Sequence, residues 1–372
     1  MPKTFDAIII GGGIAGCGVA NGLARRGWQV LVLDRSRGGG EASPHAAGIL
    51  DPFLELNSQG PLLKLSLEAF RRYPAFVREL KRETGCDVGY ERIGMTYVAM
   101  NASEERKLKQ RYLWQKRLPV PVKWIARDRL IRMHPSLSPD VRSGMLLPTI
   151  GKVNPRKLMA AFGHLLKKRG VTIERLSGAV SPVIKNSHVV GVRAGTRAFC
   201  GKVVINAAGC WSQASAPLRM RIPVRPVRGQ LILLKGRERV STILHTLLGS
   251  YLVPWEAGRS LVGSTVEFVG YRSRVTARGR RSILTSISKV VPAVTRWKTE
   301  DSWAGLRPFP SDRRPIIGPT AVRGYYLATG YYRSGILIAS HIGELLAEAI
   351  ISEKWPKILL PFSPNRFRRN RK

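Results

Sequence analysis

The chain has 372 residues, 44% of them hydrophobic, so it is long enough for two domains and a substantial core. Its 62 Lys and Arg against 24 Asp and Glu leave a formal charge of +38, which implies contact with polyanions or a generally basic surface. Cys17, Cys86, Cys200 and Cys210 form no CxxC and no zinc-like cluster with the six histidines, so reduced thiols in a cytoplasmic setting are expected.

The chain opens with an apolar run, Asp6-Ala7-Ile8-Ile9-Ile10, suited to a buried parallel strand. It leads into Gly11-Gly12-Gly13-Ile14-Ala15-Gly16. Those glycines break the apolar stretch, so it reads as part of the fold and not as a signal peptide. Val19, Leu23 and Ala24 give helical spacing up to Gly27, and Val30 to Leu33 form a second strand ending in Asp34. Gly11 suits the tight turn, Gly13 a close approach of pyrophosphate, and Gly16 close packing of helix on strand. Free N–H groups at the helix start favour phosphates, and an acid about 20 residues on suits a ribose. Strand, glycines, helix, strand and acid in register specify a dinucleotide site far better than GxGxxG alone.

A glycine-rich loop follows, Gly38-Gly39-Gly40, then Ala42-Ser43-Pro44-His45-Ala46-Ala47-Gly48-Ile49. Its small residues allow a ligand close to the backbone. His45 is a candidate base, although a histidine in such a loop more often packs or faces solvent. Helices are predicted over 62–83, 103–117 with Ser103 as cap, 127–133, and 154–169 with Asn154 as cap and Pro155 at the first position. Strands are predicted over 88–100, 145–148 and 171–174, then a hairpin over 179–198 and a strand over 202–206 ending in Ala207-Ala208-Gly209. Short strands over 231–234, 242–248, 251–253 and 260–268 point to an antiparallel sheet in a second unit. A helix over 280–291, strands over 316–318 and 325–328, and a helix over 336–351 complete the pattern. No run of about 20 apolar residues reads as a membrane span, and no internal repeat is visible. The segment Arg366 to Lys372 is read as a solvated basic tail.

From about Phe5 to about Ser352 the sequence resembles the glycine oxidase and D-amino-acid oxidase family of FAD-dependent amine oxidases. The opening fingerprint and the loop 42–49 carry the resemblance, with Gly151-Lys152-Val153-Asn154-Pro155 and Val204 to Ser212. It continues in Pro226-Val227-Arg228-Gly229-Gln230, Tyr251-Leu252-Val253-Pro254, Trp303-Ala304-Gly305-Leu306-Arg307-Pro308 and Gly330 to Leu337. The resemblance implies an α/β fold in which a Rossmann-like FAD-binding domain carries an inserted antiparallel-sheet substrate domain. The cofactor domain would comprise 1–85, 151–222 and 303–355, and the substrate domain 86–150 and 223–302, with a basic tail over 356–372.

The cofactor implied is noncovalent FAD, because 302–315 lacks the cysteine used for covalent attachment in the sarcosine-oxidase branch. Gly11, Gly13, Ile14, Ala15, Gly16, Asp34 and Arg35 are expected to hold it. Ala42, Ser43, Ala47, Gly48, Ile49, Val180, Ala208, Gly209 and Trp211 join them, as do Tyr332, Ser334, Gly335, Ile336 and Leu337. Arg333 resembles the family's carboxylate-binding arginine, Tyr251 its hydroxyl partner, and Arg307 a second arginine beside the substrate. A planar guanidinium suits a carboxylate bidentately. Asp34 stands where glutamate is usual, Pro44-His45 replace small residues, and Tyr331 stands where histidine is frequent.

The reaction implied is dehydrogenation of glycine or a small D- or N-methyl amino acid, with hydride passing to the flavin, oxygen or another acceptor taking the electrons, and the imine in one branch feeding thiamine biosynthesis. Two alternatives stand beside it: a dehydrogenase that passes electrons to a quinone, and a flavin oxidase of an aminomethyl-modified tRNA base, which the charge motivates. Nonspecific nucleic-acid binding at low salt is expected in any case. A homo-oligomer is compatible with the family, but the sequence displays no interface.

Overall fold

The computed structural model describes residues 4–36, 40–54, 56, 58–176, 178–238 and 240–367. Gly38 and Gly39 of the predicted loop and residues 368–372 of the basic tail lie outside them. Two large sheets organise the chain.

The first sheet is built on the opening strand Thr4–Ile10, whose side chains are almost wholly buried beyond Thr4. Val30–Asp34 pairs with it in parallel on one side and Arg197–Asn206 on the other. Thr172–Arg175 and Tyr325–Thr329 extend the parallel core, and Ile316–Pro319 closes that edge antiparallel. Both faces are covered, as parallel sheets require. The predicted hairpin is part of a three-stranded meander, Val180–Lys185, His188–Ala194 and Arg197–Asn206.

Helix Ile14–Ala24 follows the opening strand and packs on helix Gly335–Ser352. Small residues make their close crossing. A Cβ on Gly18 would sit 2.5 Å from the Ala339 carbonyl oxygen, and one on Gly22 would sit 2.6 Å from that of Gly343. Gly335–Ser352 is long and apolar enough to cross a membrane by length and composition, which departs from the expectation that no apolar run reads as a span. Here its apolar residues from Ile336 to Ile350 lie in the core.

The second sheet has the strand order Lys298–Pro310, Val224–Lys235, Arg259–Gly263, Tyr251–Pro254, Ile243–Thr246, Met95–Ala99, Ser143–Leu147 and Lys123–Ala126. It is antiparallel except where Ile243–Thr246 runs parallel to Met95–Ala99. That join brings the 95–147 segment alongside the later one in a single sheet. The predicted antiparallel sheet thus contains one parallel pair.

Most predicted helices form close to their expected bounds. Pro61–Thr84 carries Pro74 internally and ends at Gly85 with φ +72°. Asn154 caps Pro155–Lys168 by accepting from the Arg156 and Lys157 N–H groups. Ser103 does not cap its helix. Asn101 does, two residues earlier, accepting from Glu104 N at 2.9 Å, while the Glu104 carboxylate accepts from Met100 N at 2.9 Å. The Asn101 side chain thus satisfies a donor of the first turn, and Glu104 reaches back to the N–H before the cap. The start of the basic tail is anchored. The Arg366 guanidinium lies 2.7 and 3.1 Å from the Asp312 carboxylate and donates to the Arg314 carbonyl at 2.8 Å.

Candidate active site

One elongated cavity of about 420 Å³ runs from the carboxyl ends of the parallel strands to the face of the second sheet. Such strand ends are where open α/β sheets bind ligands.

At its first end the wall is mostly backbone. Gly11 has φ +105°, and a Cβ there would lie 2.5 Å from the Ala207 carbonyl oxygen and 2.9 Å from Ala208 Cα. Only glycine turns this corner without displacing the neighbouring strand. Ser43 Oγ accepts from Ile14 N at 2.9 Å, tying the loop to the helix start and using one of its free donors. Asp34 Oδ2 accepts from Gly12 N at 2.5 Å, and Oδ1 from Ser36 N at 2.6 Å. Ser36 Oγ also donates to Oδ1 at 2.6 Å, so Oδ2 is the oxygen with a further lone pair for a ligand hydroxyl.

The Arg35 guanidinium lies 3.5 Å from the ring centroid of Trp211, and the Trp211 ring meets Tyr271 at 5.4 Å with the two planes tilted by 34°. Asn206 fixes the turn that carries Trp211: its amide donates to the Ser212 carbonyl at 2.8 Å, and its Oδ1 accepts from Ala208 N at 3.2 Å.

At the other end, side chains take over. Tyr251 comes from the second sheet, Arg307 from the strand Lys298–Pro310, and Arg333 from the turn before helix Gly335–Ser352; all three line the cavity. Arg307 donates to the Thr265 carbonyl at 2.9 Å. Its guanidinium fills the space where Gly229 on the next strand would carry a Cβ. The glycine in the Arg228-Gly229-Gln230 motif is therefore what lets Arg307 lie across the sheet.

A buried polar cluster backs this end. Tyr97 donates to Asp51 Oδ2 at 3.1 Å, and Arg111 donates to the Tyr97 hydroxyl and the Phe53 carbonyl, each at 3.1 Å. Burial pushes the Asp51 carboxyl up, opposed chiefly by the charge of Arg111 and less by that of Arg333. The His245 ring lies between Tyr97 and Tyr251, with centroids 4.7 and 6.0 Å away. Its Nδ1 bonds to the Thr246 carbonyl at 2.7 Å, so that nitrogen carries the proton. Its Nε2 is buried with no hydrogen-bond partner among the described residues. Burial lowers the His245 pKa to about 3, aided by the charges of Arg333 and Arg111. No sequence signal marks this cluster: its members lie far apart in the chain and sit in no motif.

Of the expected residues, Gly11, Gly13, Ile14, Ala15, Asp34, Arg35, Ala42, Ser43, Ala47, Gly48 and Ile49 all line the cavity. So do Val180, Ala208, Gly209, Trp211, Tyr332, Gly335 and Ile336. Gly16, Ser334 and Leu337 do not. Gly16 is where helix and strand touch, against the Gly11 carbonyl. Ser334 gives its carbonyl to the N–H groups of Leu337 and Ile338, and Leu337 is core. Sequence reading missed Glu41, Leu54, Gly229, Leu231 and Gly305 in the wall. His45 does line the cavity, its Nδ1 held 2.9 Å from the Glu41 carbonyl oxygen. No metal-ligating cluster occurs among the described residues.

The model for FAD-dependent oxidoreductases of the D-amino-acid oxidase type matches residues 6–349. The chain belongs to this family of FAD-dependent oxidoreductases. It is 29% identical to glycine oxidase of Geobacillus kaustophilus over 371 residues, covering 98% of each chain. It is 31% identical over 373 residues to the bifunctional protein ThiO/ThiG of a Synechocystis species, but spans only 55% of that protein. The solved glycine oxidase of Geobacillus kaustophilus superposes with a TM-score of 0.90 at 28% identity, over 97% of this chain and 98% of that one.

The residues of this family member fit FAD. Asp34 Oδ2 offers an acceptor for a ribose, and the cavity continues past the helix start to an end lined by residues of both sheets. Cys210 is the cysteine in the described wall. Burial pushes its thiol up to about 12, so it stays protonated and is no thiolate for a covalent link.

Proposed function

We propose that the chain oxidises glycine or a small D- or N-methyl amino acid, releasing an imine that hydrolyses to an oxo acid while oxygen becomes hydrogen peroxide. The observation that carries this reading is the convergence of Tyr251, Arg307 and Arg333 on one end of the cofactor cavity. Two guanidiniums and a phenol form a site for one carboxylate. Leu54, Leu231 and Gly305 line the same cavity.

When bound, FAD would supply the hydride acceptor. Gly11, Gly13, Ile14, Asp34 and Ser43 would hold its nucleotide half, and Ala47, Gly48, Arg307 and Tyr332 would face its ring end. The protein's own part is placement: the carboxylate clamp fixes the substrate so that its α-carbon presents to the ring. His245, neutral at working pH, adds no charge behind the clamp. We further infer that the chain works as the cofactor and substrate units outlined from the sequence, one centred on each sheet, with the 302/303 boundary falling inside the second-sheet strand Lys298–Pro310. The similarity to ThiO/ThiG supports a role in feeding thiamine biosynthesis.

The test is anaerobic flavin bleaching. Purified protein is mixed in turn with glycine, sarcosine, D-alanine and D-proline, then exposed to air while peroxide is assayed. Bleaching by one of them, with recovery and peroxide, supports the oxidase. Bleaching without rapid recovery means a dehydrogenase that uses another acceptor. No bleaching with FAD bound overturns the amino-acid reading in favour of a modified tRNA base.

A further inference from the structure

Two segments beside the cavity mouth carry a surface that the oxidase reading leaves unexplained. Leu218 is 92% exposed, Phe268 57%, Tyr271 53% and Val266 50%. Arg219, Arg221, Arg225, Arg272 and Arg274 are exposed among them. The segments are stitched together. Arg228 and Glu267 exchange backbone hydrogen bonds at 2.9 and 3.0 Å, the Arg225 guanidinium lies 4.6 Å from the Phe268 ring, and Tyr271 donates to the Cys210 carbonyl at 3.0 Å. Within 216–227 and 266–281 the one acidic residue is Glu267, and the Arg228 guanidinium neutralises it at 2.6 Å. The result is a set of exposed apolar side chains interspersed with arginines that form no ion pair among the described residues.

Charge decides what this surface fits. A second copy of the chain would set arginines against arginines in a two-fold contact. RNA would satisfy the arginines and stack on Phe268 and Tyr271, but the most exposed side chain, Leu218, has no ring to stack. Leucine and aromatics interspersed with arginines match the boundary between lipid headgroups and acyl chains. We propose that residues 218–225 and 266–274 dock on an anionic lipid surface, with Leu218 and Phe268 entering the headgroup–acyl boundary and the arginines on the phosphates. Tyr271 packs against Trp211, and Phe268 contacts Phe309, whose ring lies 4.9 Å from Tyr332. Trp211 and Tyr332 line the cavity, so docking would turn its mouth toward the membrane.

Cosedimentation of the FAD-loaded protein with phosphatidylglycerol–phosphatidylcholine vesicles at 0.15 M salt tests this. The wild type should bind these vesicles and not pure phosphatidylcholine. The variant R219Q/R221Q/R274Q should lose on the order of a hundredfold in partition, about fivefold for each arginine. Leu218→Ser should lose about tenfold. The control R106Q/K107Q, on an exposed helix elsewhere, should match the wild type. Flavin content and thermal melting of each variant establish that it is folded. Absence of wild-type binding, an equal loss in the control, or full binding by Leu218→Ser would each overturn the proposal. So would loss of single-stranded RNA binding in the triple variant with vesicle binding intact, which would assign the surface to nucleic acid.

Discussion

The two ends of the cavity are made of different material. The nucleotide end is mainly backbone and small residues with Asp34 and the Arg35–Trp211 pair, drawn mostly from the first 50 residues, the Ala207–Trp211 turn and Val180. The clamp end is long side chains from strands and turns scattered between Asp51 and Arg333. Backbone cradles tolerate no added atom, whereas a side-chain clamp tolerates truncation of a member and loses affinity in proportion. The first end should therefore fail in cofactor content and the second in substrate binding.

Gly11→Val should give the largest effect. A branched side chain at φ +105° collides with the Ala207 carbonyl, at a cost of about 3 kcal/mol or more from the backbone alone. Flavin absorbance of the purified variant should be lost; a variant that retained full FAD would break the contrast. Arg333→Ala and Arg307→Ala should keep FAD but lower kcat/KM on the order of a hundredfold each, the value of about 3 kcal/mol for a hydrogen bond to a charged partner. Titrating the flavin spectrum with a small carboxylate reads the same loss without turnover.

Acid should separate the two sheets. His134 and His245 both lie with the second sheet, and burial lowers their pKa values from 6.5 to about 4 and about 3. Each stays neutral in the native state where the unfolded chain takes up a proton. The stability they allow is complete above about pH 6.5 and falls as pH drops toward those folded values, by up to about 1.4 kcal/mol per pH unit for each. Asp51, raised by burial, works in the opposite direction on acidification. Hydrogen exchange at pH 5 should show protection lost from strands 95–99 and 243–246 before strands 4–10 and 197–206, and His245→Leu should flatten the slope. Asn101→Ala should have the smallest effect, about 1 kcal/mol of stability from the lost cap, with kcat unchanged; an altered KM would tie that outer helix to the clamp.

The same contrast explains what could be read from sequence. Glycines required by a turn recur at fixed spacing beside their strand, so Gly11, Gly13 and Asp34 are legible one after another. Tyr251, Arg307 and Arg333 are legible only through resemblance, because nothing in their spacing brings them together. Asp51, Tyr97, Arg111 and His245 carry no local signature at all, since their pairing follows from the parallel join of Ile243–Thr246 to Met95–Ala99. Gly229 appeared within a motif, yet its reason, the Arg307 guanidinium lying over it, is a property of strand register.

The crossing of helices Ile14–Ala24 and Gly335–Ser352 has a consequence for how the protein is made. Arg25 and Glu344, which bond across it, are 319 positions apart. At ribosomal speeds of about 5–20 residues per second, roughly 15–60 s pass between synthesis of the two helices. For that interval the nascent chain holds an apolar, glycine-faced helix without its main partner. Its completion by Gly335–Ser352 is a late event, and a chaperone that shields the first helix during synthesis would act on yield without touching the finished enzyme.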